Sequence, residues 1–194
     1  KWWPVLYVGK AAKKDEEGSY VWKLRDELAE ALERVDLSKV NLYANLEPNF
    51  WKISHGNDCI SDVEAAAFEK RQVIVVHKDT AKVSQGEDFM ATMKKGDFFY
   101  LCRGNSIWLL GRIDSDEVNE NPEKQDGWYE RSYTVITESR DISAYSGNKK
   151  WWTPNENSTC IVVPKSETQL FEDYILKPYF DITKEELLKN DTSG

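Results

Sequence analysis

Phe50-Trp51-Lys52-Ile53-Ser54-His55-Gly56-Asn57-Asp58 opens the stretch that decides the fold, and Met93-Lys94-Lys95-Gly96-Asp97-Phe98-Phe99-Tyr100 and Ile107-Trp108-Leu109-Leu110-Gly111-Arg112-Ile113 close it. Residues 50–53 read as an aromatic strand that runs into a polar loop, because Gly, Asn and Asp favour turns over ladders. Gly96 stops a helix, and the Gly-Asp turn introduces a strand over 98–102. Arg103-Gly104-Asn105-Ser106 then reads as the tip of a hairpin leading to a strand over 107–113. Such strands can close into a small barrel with one open, polar mouth. That mouth suits a flat ring and carries no evident group for breaking a bond.

Working outward, Ser61-Asp62-Val63-Glu64 is a capping box, with Ser61 accepting from a backbone N–H and Glu64 reaching back, and the helix continues over 65–68. The β-branched run 73–76 predicts a buried strand. Phe89 and Met93, four apart, share the inner face of a helix over 87–95. Residues 114–127 are acidic and polar and predict a solvated loop. A long strand follows over 128–138, with Tyr129, Arg131, Tyr133 and Val135 on one face. The last strand, 160–163, is stopped by Pro164; Ser166 to Gln169 then reads as a second capping box, opening a helix with Leu170, Phe171, Tyr174 and Ile175 inward. Residues 183–188 read as a shorter helical end. On the other side, Leu24, Leu28, Ala31, Leu32 and Val35 recur at helical spacing over 19–35, and Trp3 to Val8 could form a short strand before Gly9. The expected organisation is a helical appendage at 1–47, a main domain at 48–182 and a tail at 183–194. Five or six strands with three helices make the main domain α+β and barrel-like.

With 194 residues and 40% apolar content, the chain can bury a sizeable core. A formal charge of −8 argues against a generic polyanion binder, since nonspecific affinity for nucleic acid comes from many Lys and Arg contacts with phosphates. It leaves room for a local basic patch. Three widely spaced cysteines with only two histidines disfavour a structural zinc site and suit a reduced, cytoplasmic protein. No apolar run approaches a membrane span, and no signal-peptide core is present. No cofactor is expected.

Walker A, Rossmann, HExxH and GxSxG motifs are absent, so the expectation is a binding domain and not an enzyme. One enzymatic echo is Leu6-Tyr7-Val8-Gly9-Lys10 followed by Arg25, which resembles the second half of a GIY-YIG nuclease signature without its first half. A strand ending at a glycine turn explains the same residues.

The order of elements from Phe50 to Ile113 resembles the EVE and YTH branch of the PUA-like fold. Met93-Lys94-Lys95-Gly96-Asp97 before an aromatic strand ending in Tyr100, and Leu110-Gly111-Arg112-Ile113 after it, carry that resemblance. It covers about residues 50–145 and more loosely extends to 163. It implies a small mixed β-barrel flanked by helices that encloses a base turned out of its nucleic acid, often a methylated one. A module of this kind also stands at the front of some McrB-like restriction proteins, ahead of an AAA+ GTPase motor and with a nuclease partner. Carried over by position, the base-binding residues are Ser54, His55, Gly56, Asn57 and Asp58, then His77 and Lys78, then Trp151 and Trp152. His77 stands where the family has an indole, a departure that bears on methyl recognition.

Elementary physics singles out some of the same residues. Adjacent Trp151 and Trp152 face opposite ways in an extended segment, so one packs inward and the other is free to stack on a base. Lys149 and Lys150 beside them, with Lys94, Lys95 and Arg103, are candidate phosphate contacts, although Lys94 and Lys95 also suit a helix C-terminus. Trp51, Trp108 and Trp128 lie within strands and suit the core. The leading expectation is a DNA-reading specificity module. The alternatives are a YTH-like reader of methylated RNA, a GIY-YIG-like nuclease fragment and an assembly surface.

Overall fold

The computed structural model describes residues 47–191. The expected strand and helix within 1–46, and the Tyr7 and Arg25 of the nuclease echo, lie outside these residues.

The described chain is α+β and barrel-like. Strands β1 (Phe50–His55), β2 (Val73–His77), β3 (Phe98–Arg103), β4 (Ser106–Ile113), β6 (Trp128–Glu138) and β7 (Cys160–Val162) form a curled sheet in the order β2-β6-β4-β3-β1-β7. A short strand β5 (Asn119–Glu120) is added on β6. β1 and β3 are parallel, while the other pairs are antiparallel. A parallel pair needs a crossover, here made by helix α1 (Asp62–Arg71), β2 and the short helix α2 (Ser84–Glu87), which widens into a π-helical stretch over Asp88–Thr92.

β1 and β3 are buried on both faces, which is why both open on adjacent aromatic residues instead of alternating apolar and polar ones. The pleat sends Phe50, Phe98, Tyr100 and Cys102 outward, under a C-terminal helical layer that supplies Phe171, Ile175, Leu176 and Phe180. It sends Trp51, Ile53, Phe99 and Leu101 inward, against Ile74, Val76, Phe89, Met93 and Tyr133. α1 covers β2 through Ala65 and Phe68.

The Gly-Asp turn has a physical role beyond stopping a helix. Gly96 takes a φ of 88°, and the buried Asp97 carboxylate accepts from Asn49 N at 2.8 Å, Trp51 Nε1 at 2.8 Å and Lys94 N at 3.1 Å. Asp97 therefore ties the start of β3 to the start of β1. Gly111 sits at a β-bulge, where a Cβ would lie 2.6 Å from the Phe99 ring. Its absence lets Phe99 and Tyr133 meet edge to face at 5.1 Å.

The capping box at Ser61 and Glu64 forms with both bonds in place. The one expected at Ser166 does not. A 3-10 turn, Lys165–Glu167, precedes α3 (Thr168–Phe171) and its π-helical continuation Glu172–Phe180 without a side-chain cap, and Gln169 reaches forward to Asp173. The reciprocal pair forms instead between Thr183 and Glu186, opening α4 (Lys184–Asp191), whose Leu187 joins the outer core. Nor is 114–127 simply a solvated loop. β5 pairs with β6, and the fully buried Asn121 donates to Glu130 and accepts from the Glu123 and Lys124 amides.

Among the described residues, no helix is long and apolar enough to cross a membrane, and no cluster of His, Cys, Asp and Glu could hold a metal ion.

Candidate functional site

Parallel register aligns Ser54 with Cys102 and His55 with Arg103, so the chain leaves β1 and β3 at the same end of the sheet. Antiparallel register aligns His77, at the end of β2, with Trp128, at the start of β6. These ends and residues 154–159 enclose an open hollow of about 720 Å³. Ser54 and residues 56–60 form one wall, Val75, His77, Asp79, Thr80 and Trp128 a second, Gly104 and Asn105 a third, and Pro154 to Thr159 the fourth. The volume lies within the roughly 300–1,000 Å³ of small-molecule clefts.

The lining is rich in amides. Asn57, Asn105, Asn155 and Asn157 all reach it, with hydroxyls from Ser54, Thr80, Ser158 and Thr159. Asp58, Asp79 and Glu156 add carboxylates, and no Lys or Arg among the described residues lines the space. Lys149, at 3.0 Å, holds the Glu156 carboxyl below the usual carboxylate range. Amides both donate and accept, so the walls can match the edge of a heteroaromatic ring.

Two aromatic rings face the space. His77 and Trp128 meet at 5.4 Å with their planes at 68°. Both imidazole nitrogens are occupied, since Nδ1 accepts from Asp79 N at 3.2 Å and Nε2 lies 3.0 Å from the Asp126 carbonyl. These partners select the tautomer with the proton on Nε2 and leave His77 only its ring surface to offer. One face of Trp128 carries the Lys124 ammonium at 4.7 Å, itself held by Glu64 at 2.7 Å and the Cys59 carbonyl at 2.9 Å. Lys124 and Ser61 together hold the Glu64 carboxyl down to about 2.

The fourth wall is fixed by a buried cation. Lys52 is a polar interruption in an apolar strand, and its ammonium donates to the Thr153 carbonyl at 2.9 Å, the Glu156 carbonyl at 2.7 Å and Ser158 Oγ at 2.9 Å. Three donors meet three acceptors, although burial still pushes the Lys52 pKa down.

The expected base-binding residues divide. Ser54, Gly56, Asn57, Asp58 and His77 line the hollow. His55 does not: it is buried, packs on Phe68 and accepts the Val75 N–H at 3.3 Å. The pleat turns it inward, as it does Trp51 and Ile53. Burial, with Arg103 nearby, lowers its pKa to about 4 and keeps it neutral. Lys78 is exposed, but its methylene stem lies against Gly127 instead of the hollow. Trp152 is core: it is buried, donates to Glu167 at 2.6 Å and packs on Phe171 and Tyr174. Trp151 is 68% exposed, as one member of the pair had to be, but it lines a second depression that shares only Glu156 with the hollow.

The expected phosphate contacts divide as well. Lys94 and Lys95 precede β3 and so stand at the opposite end of the sheet, roughly 17 Å of strand away. Their amides are bound by Asp97 and Asp116. Arg103 is committed internally, to Asn57 Oδ1 at 2.9 Å, the Ile60 carbonyl at 3.2 Å and Asp62. Lys150 pairs with Glu167, and Lys149 alone of these stands well exposed beside the hollow's fourth wall.

Asn105, Asn155, Asn157 and Lys52 were not singled out from sequence, and Trp128, expected in the core, is half-buried and lines the hollow. A lysine alternating with buried aromatics was the legible signal for Lys52. For Trp128 it was the position directly after Asp126-Gly127, since a strand's first residue sits at a rim.

Cys102 and Cys160 are buried thiols with raised pKa, and Cys59 is exposed; all three are free. Burial in this way disfavours the reactive thiolate at Cys102 and Cys160.

No family model matches the chain, and no curated protein matches it. Among solved structures it is similar to the NMR structure of Rpa0253 from Rhodopseudomonas palustris, at 12% identity over 73% of this chain and 89% of that one, with a TM-score of 0.33. That likeness is too slight to bear on fold or function.

Proposed function

We propose that residues 48–182 form a PUA-like module of the EVE/YTH kind that accepts one extruded, modified nucleobase in the hollow. The observation that carries this is the hollow itself, at the shared end of β1 and β3, walled by four asparagines and two aromatic rings. Turning a base out costs a few kcal/mol of unstacking. Ring contacts with Trp128 and His77, with edge hydrogen bonds from the amides, can return it. A lining that draws no Lys or Arg from the described residues suits recognition through the base, with phosphates held outside by exposed groups such as Lys149. Burying a methyl group against an apolar patch such as Val75 would add about 0.8 kcal/mol in favour of a methylated base. By analogy, the setting is DNA recognition for a McrB-like modification-dependent restriction system with its GTPase motor and nuclease.

The test is titration of duplex DNA and single-stranded RNA, each with and without methylated adenine or cytosine, against the full chain. Tighter binding of methylated duplex supports this proposal. Tighter binding of methylated single-stranded RNA instead makes the module a YTH-like reader. Indifference to both nucleic acids overturns it.

A further inference from the structure

We propose that Trp151 is the wedge that takes the place of the extruded base within the duplex. The inference rests on the base-reading function proposed above and assigns a role to an indole that lies outside the hollow.

Three observations carry it. Trp151 is the largest of the strongly exposed hydrophobic side chains among the described residues, with 68% of its surface in contact with solvent. It is also rigidly presented. Its own carbonyl accepts from Ser158 Oγ at 2.6 Å, the next carbonyl accepts from Tyr100 Oη, and the one after accepts from Lys52 at 2.9 Å. The buried Trp152 anchors the chain beside it. Finally, its depression adjoins the hollow. Ser158 and Glu156 line that space, and Glu156 also lines the depression around Trp151. An indole held out on a fixed backbone loses little entropy on contact, unlike a floppy exposed side chain.

Stacking supplies the occupant. A base leaving a duplex opens a gap between two neighbouring pairs, and apolar side chains inserted at base steps offset that loss. One loop thus has a face that receives the ring and a face that refills the stack. Lys149, 62% exposed and two residues away, lies on the same side for the flanking phosphate, which would displace its partner Glu156. Wedging matters only for paired substrates, because a single strand has no gap to fill.

The experiment uses the full chain and a short duplex carrying one methylated base beside a fluorescent adenine analogue whose emission rises on unstacking. The same labelled strand, unpaired, is the second probe. Trp151→Ala should weaken duplex binding and its emission rise on the order of tenfold, with single-strand affinity held within about twofold, and Trp151→Phe should restore most of the loss. Equal losses on both probes, or none on either, would overturn the wedge while leaving the hollow as the site. If the unaltered chain binds neither probe, it is the underlying base-reading proposal that fails. An unchanged melting temperature, expected at so exposed a position, verifies that the variants fold.

Discussion

His77 and Trp128 face each other across the β2–β6 ladder, their ring centroids 5.4 Å apart and their planes at 68°. The position where the family resemblance expects an indole therefore carries an imidazole, and an indole stands opposite it on the next strand. The aromatic contribution to the hollow is a property of a cross-strand pair, and the two rings should be tested together.

Trp128→Ala should weaken binding of a methylated oligonucleotide by about 1–3 kcal/mol, read by fluorescence anisotropy, with Trp128→Phe recovering part of it. His77→Ala should cost less, because both its nitrogens are already engaged with the protein. Double substitution should be non-additive, since the rings touch. Unaltered affinity in all three variants would remove the hollow as the binding site.

Lys52→Met should leave three acceptors of the 153–158 segment without their donor, each worth about 1–3 kcal/mol if it stays buried. Release of the segment to water relieves part of that. The expected result is faster proteolysis within 150–158 and a matching loss of oligonucleotide affinity, measured on the same preparation. Proteolysis at the unaltered rate would mean that Lys52 does not hold this wall.

Acid should destabilise the domain through His55. Its pKa in the fold is about 4, against an ordinary 6.5. Between those values the unfolded chain takes up a proton that the folded chain refuses, so stability falls as pH drops through this window, by on the order of 3 kcal/mol in full. His55→Gln should flatten urea-derived stability between pH 6.5 and 4 relative to the parent. An identical slope in both proteins would show that the imidazole does not set it.

Gly111→Ala should destabilise by about 1–3 kcal/mol, because the new methyl group meets the Phe99 and Tyr133 rings with no room to yield. Thermal unfolding measures it. Phe99→Leu in the same chain should rescue part of the loss, a coupling that a backbone effect alone would not give.

Much of the architecture was legible because strong local signals agreed with it. The alternation in Tyr129, Arg131, Tyr133 and Val135, the glycine at 96 and the Ser61–Glu64 box each have a short-range physical cause that survives folding. Ser166 misled because capping boxes are set by backbone geometry as well as residue type. Pro164 leads the chain into a 3-10 turn first, and the Thr183–Glu186 pair supplies the working example. The hollow was half legible: residues 54–58 follow a strand, so their place at its end was readable. His55 was lost to the pleat, which continues two residues further than the sequence suggested. Trp128 was hidden for a different reason. Its place depends on a ladder with β2, some fifty residues away in the chain, and no local pattern carries that register.

The parallel pairing of β1 with β3 separates the hollow from the anchorage of the fold. Both strands discharge their loops at one rim, while Asp97 fastens the opposite rim with bonds to Asn49, Trp51 and Lys94. Insertions or swaps at 56–59, 104–105 and 154–157 thus reshape the walls of the hollow without reaching the fastening. On the proposed base-reading function, the molecule would work as a chuck with exchangeable jaws, its grip set at one end and its fold secured at the other.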